Sequence, residues 1–150
     1  MSTTVDTSSA FADVWESIGS HWLPDDMRAL ICRTIMHLPA AVADFAICNC
    51  SFISADRKTK GQTYAASIFT HFTNRGRTMR NHWVIVLDES LLKNEQDGQY
   101  TVAHQIAHAW LGHRVMDGNF LTEEHADKMV KAMGLNVPKY RLKVHVDGAA

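Results

Sequence analysis

The sequence predicts an α+β domain in which amino-terminal helices pack on a small, mostly antiparallel sheet of about three strands, and two further helices follow the sheet. Three observations lead there. Apolar residues recur at three- and four-residue intervals over 11–22, 24–38, 100–114 and 122–133, the spacing that gives a helix one apolar face. Between them, 45–54, 63–72 and 82–88 are β-branched and aromatic and are bounded by polar turns, the composition of strands. Finally, 150 residues are enough to bury one core and too few to ask for two.

Taken in order, residues 1–9 are polar and rich in Ser and Thr, and are expected to be a disordered tail ahead of a single domain over 10–150. They lack the basic start and apolar stretch of a secretion signal. Phe11, Val14, Trp15, Ile18 and Trp22 line one face of a first helix. Pro24, Asp25 and Asp26 start a second, with Pro in the first turn and acids at the positive dipole end. Its inward residues are Met27, Leu30, Ile31, Ile35 and Leu38, and Pro39 ends it. The pair should pack behind the sheet. The strands follow, separated by turns that contain Gly61 and Gly76 and are short enough for antiparallel neighbours. Residues 88–98 connect the last strand to the helix over 100–114, in which Val102, Ile106, Ala109 and Trp110 form an apolar stripe and Gly112 supplies a stop. A loop with Asp117, Gly118 and Asn119 precedes the last helix, which has Thr122 as N-cap and Gly134 as its end, with Pro138 forbidding continuation. Residues 139–150 alternate weakly through Tyr140, Leu142, Val144 and Val146, as a last strand or an ordered extension would.

The formal net charge is −1, so no global field recruits nucleic acid or a membrane surface, and no apolar run reaches the ~20 residues of a membrane span. Three cysteines, Cys32, Cys48 and Cys50, are an odd number and too few for a disulfide scaffold. Reduced thiols packed in the core of a cytoplasmic protein are the simplest account. On a common strand, Cys48 and Cys50 would point to one face, where a bridge between them would be strained.

The chemistry is concentrated in His104-Gln105-Ile106-Ala107-His108. Positions i and i+4 share a helix face, so the two imidazoles can converge on one zinc ion. In the zinc-peptidase pattern His-Glu-x-x-His, the glutamate takes a proton from the metal-bound water. Here Gln105 stands at that position. Glutamine keeps the shape and loses the base, so the site should still hold metal while turning over poorly; loss of a general base costs ~10²–10⁴ in rate. A lone isosteric change in an otherwise complete site reads as the impaired form of a working peptidase. The alternative is a zinc-binding pseudoenzyme that uses its groove to hold a protein.

Catalytic zinc takes three protein ligands and keeps one position open. The candidates for the third are Glu123, Glu124, His125, Asp127 and His113. Glu123 and Asp127 are four apart on one helix face, so Glu123 is the expected third ligand, with Asp127 accepting the outer ring proton of a ligand histidine. His113, nine residues past His104, lies about half a turn round a continuing helix and faces away from the metal; only a reversal at Gly112 could return it. It reads as a surface or C-capping histidine at the negative helix end.

Together, the His104–His108 pair, Ala109-Trp110-Leu111-Gly112-His113 and Glu123-Glu124-His125-Ala126-Asp127 resemble the gluzincin metallopeptidases, most closely the ImmA/IrrE family of small bacterial and phage-associated enzymes. Ile85-Val86-Leu87-Asp88-Glu89 and Thr101-Val102-Ala103 extend the likeness, which covers about 83–135. The short chain is also similar to minimal gluzincins without a large C-terminal subdomain. The resemblance implies a zincin-like fold, zinc on His104, His108 and Glu123 with Asp127 behind the histidines, and limited cleavage of a regulatory or partner protein. It also implies an oxyanion donor, with Tyr140 and His145 first and then Arg141 from beyond the glutamate helix, or His125 beside the ligand. A peptide substrate would lie along an exposed sheet edge, either 63–72 or 82–88, adding a strand through main-chain bonds. No helix-turn-helix or sensor domain accompanies the motif.

Arg57, Lys58, Lys60, Arg75, Arg77 and Arg80 form two basic turns. Without a reader helix or an aromatic stacking motif they argue for a solvated rim that attracts an acidic protein rather than for nucleic-acid binding.

Overall fold

A computed structural model describes residues 7–18, 23–54, 61–73, 76–113 and 120–139. The elements run α1 (Thr7–Ser17), α2 (Asp25–His37), α3 (Ala40–Asn49), β1 (Cys50–Ser54), β2 (Gly61–Thr73), β3 (Gly76–Leu87), a 3₁₀ turn (Glu89–Lys93), α4 (Glu95–Trp110) and α5 (Phe120–Ala132). The protein is thus a mixture of helices and one small sheet, as the apolar patterns require.

Helix α1 begins at Thr7, so the last three residues assigned to the tail belong to it. Trp22 lies outside the described residues. Helix α2 buries Met27, Leu30, Ile31 and Ile35, and Leu38 turns extended (φ −79°, ψ 152°) ahead of Pro39 because the proline ring disfavours helix in the residue before it.

The strand expected over 45–54 is corrected. Residues Ala40–Asn49 are helical and only Cys50–Ser54 are a strand. Pro39 opens α3 from an extended conformation, and four alanines among its ten residues supply helix propensity. The buried residues Val42 and Ala46 are four apart. Phe45-Ala46-Ile47-Cys48 is an apolar run with no polar alternation, and such a run carries no period to separate helix from strand. As a helical residue, Phe45 sets its ring edge-on to Trp110 at 5.3 Å. Cys48 is exposed on α3, whereas Cys32 and Cys50 are buried. Burial pushes the Cys50 thiol up to about 12, as for a packing residue rather than a reactive one.

The sheet is mixed, with strand order β1-β3-β2. Strand β1 runs parallel to β3, from Cys50 opposite Trp83 to Ser54 opposite Leu87. Strand β2 pairs antiparallel with β3, from Gly61 opposite Leu87 to Thr73 opposite Gly76, with an irregularity between Phe69 and His71. The two-residue alternation then sorts the faces. Cys50, Phe52, Trp83, Ile85 and Leu87 are buried, while Ile53 on the other face is exposed. Helices therefore cover one side of the sheet.

Helix α4 is the centre of the packing. Every residue from Tyr100 to Ala109 is buried, and α4 meets α2, α5, β2 and β3. Its start is fixed by the Asn94 side chain, which accepts from Asp97 N at 3.1 Å. At Gly98 a Cβ would stand 2.7 Å from Leu91 O and 2.9 Å from Leu30 Cδ2, so the missing side chain sets how closely α2 and the 3₁₀ turn approach. The far end closes at Gly112, with φ +73°, a backbone conformation that glycine adopts without strain. Among the described residues no helix is long and apolar enough to cross a membrane.

Candidate metal centre

Helix α4 presents His104 and His108 one turn apart on the face that α5 covers, and Glu123 comes from the first turn of α5. The two Nε2 atoms are 3.1 Å apart. Glu123 Oε2 is 2.9 Å from His104 Nε2 and Oε1 is 3.2 Å from His108 Nε2. Both imidazoles are nearly fully buried, while the Glu123 side chain keeps 31% of its surface exposed, so the cluster is closed behind and reachable through its carboxylate. Among the described residues, this is the group that can hold a metal ion. The donor set fits a divalent cation: bonds of about 2.1 Å at a tetrahedral angle put neighbouring donor atoms roughly 3.4 Å apart, close to the spacings here.

The electrostatics are those of a site short of positive charge. Burial raises the Glu123 carboxyl, but hydrogen bonds from His104 and His108 outweigh it and hold the group well below the usual carboxylate range. Burial lowers His104, but Asp127 and Glu123 overcome it and raise the imidazole above 6.5. The histidine proton sits where a cation would serve both acids better.

Behind the donors, Asp127 is 2% exposed, and its Oδ1 accepts from His104 Nδ1 at 2.8 Å. Tyr100 also donates to Asp127 Oδ1, and its hydroxyl stands 3.3 Å from His104 Nδ1. Reading the sequence missed Tyr100, although its place four residues before His104 on the same helix face is the signal that could have found it. His108 has a different backing, since its Nδ1 is 2.8 Å from Nδ1 of His113. The histidine read as facing away from the metal therefore does return, and it meets the outer nitrogen of His108 rather than joining the donors.

Gln105 is buried on α4. Glu124 is drawn off to Lys128 at 3.0 Å and His125 is exposed, so neither joins the donor group. Tyr140, Arg141 and His145, read as oxyanion donors, lie outside the described residues, as do Arg57, Lys58, Lys60, Arg75 and the extension over 140–150. Arg77 and Arg80 are on β3.

No protein-family model, curated protein or solved structure gives a significant match to this chain.

Proposed function

We propose that the chain is a zinc-dependent endopeptidase of the gluzincin type, related to the ImmA/IrrE family, carrying glutamine where the general base stands. The observation that carries this reading is the convergence of His104 Nε2, His108 Nε2 and the Glu123 carboxylate, with Asp127 on the outer nitrogen of His104. When bound, zinc polarises a water and the scissile carbonyl.

The chain's own residues do the rest. His104, His108 and Glu123 hold the ion, and Asp127, fixed by Tyr100, keeps Nε2 of His104 aimed at it. The residue after His104 handles the proton of the attacking water. As Gln105 it can hold that water by a hydrogen bond and cannot take the proton. Among the described residues, strands β1 and β2 are the sheet's edges, and β2 packs near α4, so a peptide adds alongside β2 through main-chain bonds. Such binding makes little demand on sequence, and limited cleavage of a regulatory or partner protein in the cytoplasm is the function that fits. Gln105 favours one other reading, a zinc-bound pseudoenzyme that holds its partner intact.

The test compares the zinc-loaded protein with Gln105→Glu in an extract whose new protein amino termini are labelled and sequenced. The peptidase reading expects termini that appear with Gln105→Glu at ~10²–10⁴ times the parent rate and vanish with a chelator. No new termini from either protein would leave the pseudoenzyme reading standing.

A further inference from the structure

The end of α4 contains a hydrogen bond that its turn does not need. Gly112 N donates to Ala109 O at 3.1 Å and His113 N donates to His108 O at 3.0 Å. With Gly112 at positive φ, this pair of bonds defines a Schellman turn, in which the residue after the glycine is folded back onto the residue five before it. The same turn ends α5: Gly134 N donates to Lys131 O, Leu135 N to Val130 O, and Gly134 has φ +86°. There the two facing positions are Val130, buried, and Leu135, packed against the core, the apolar pair this turn usually carries. In α4 the same two positions are His108 and His113, and they are joined Nδ1 to Nδ1 at 2.8 Å.

We propose that His113 is a positioning residue for His108, accepting the Nδ1 proton and so holding Nε2 unprotonated and aimed at the ion. This inference rests on the metal centre proposed above. An imidazole has one proton to give when neutral, so an acceptor at Nδ1 selects the tautomer whose Nε2 lone pair is free for a metal. His113 meets the nitrogen on the far side of the ring from Glu123, so it backs His108 rather than joining the donors. The centre is thereby backed unequally: a carboxylate with a tyrosine stands behind His104, and an imidazole behind His108. The spacing His108-x-x-x-Gly112-His113 is the sequence signature, with the glycine reversing the chain so that backbone and side chain of one histidine both bind the other.

The test uses zinc affinity, measured by competition with a chromophoric chelator, for the parent, His113→Leu and His113→Asn. Leucine restores the apolar pairing that the turn tolerates in α5 and removes the acceptor, whereas the asparagine oxygen stands near the place of Nδ1. The expected result is a loss of about 10–100-fold for His113→Leu, with His113→Asn within about threefold of the parent. In the zinc-loaded protein the imidazole proton on His108 Nδ1 should be seen by nitrogen-correlated NMR in the parent and in His113→Asn, and lost to exchange in His113→Leu. Parent-like affinity in His113→Leu, or an equal loss in both variants, would overturn the assignment and leave the metal centre intact. A parent that binds no zinc would end both.

Discussion

His104 and Glu123 form an ion pair at 2.9 Å, and that pairing fixes how pH acts on the protein. His104 is raised above 6.5 by its two acid partners, so its contribution to stability is fully present below 6.5 and is lost as pH rises through the folded value. Glu123 is lowered below 4.5, so its contribution is present above 4.5 and is lost as pH falls through its folded value. The metal-free pair is therefore most stabilising between 4.5 and 6.5. A metal requires deprotonated imidazoles, so the rise in Tm on adding zinc should be larger at about pH 7.5 than at about pH 5.5. Equal rises at both would contradict the His104 ligand. Tyr100→Phe removes one donor to Asp127 and leaves that from His104 Nδ1, so zinc affinity should fall by about tenfold or less, against about 10–100-fold for Asp127→Ala.

Helix α4 owes its place to its glycines as much as to its apolar residues. Gly98→Ala would gain about 0.5–1 kcal/mol in an open helix, but the new Cβ here meets a backbone oxygen at 2.7 Å. It should instead cost about 1–3 kcal/mol by denaturant unfolding, and a neutral or stabilised variant would show that the 3₁₀ turn can yield. Elements with a clear period were legible in the sequence: α2 from Met27, Leu30, Ile31 and Ile35, and α4 from its apolar stripe and Gly112. Helix α3 was not, because Phe45 to Cys48 is uniformly apolar and offers no period. The parallel pairing of β1 with β3 was equally hidden, since Phe52 and Ile85 meet across a crossover and no local turn records it. His104, His108, Glu123 and Asp127 were readable from i, i+4 spacing alone. His113 was misplaced because a helix was extended through Gly112, where the chain in fact reverses.

One apolar cluster joins α1, α2, α3, the sheet, α4 and α5, and the His104–His108–Glu123 group links α4 to α5 at its margin. A ligand that binds only the folded chain stabilises it by about 4 kcal/mol at a thousand times its Kd, so zinc should act as a clasp between the two helices. Zinc per chain by elemental analysis, in the parent beside Glu123→Ala, is the most direct test. We predict about one zinc per chain in the parent, as for a centre with three protein ligands, and a marked loss in Glu123→Ala. A parent without zinc after incubation with the metal, or a variant that retains it in full, would contradict the three-ligand centre.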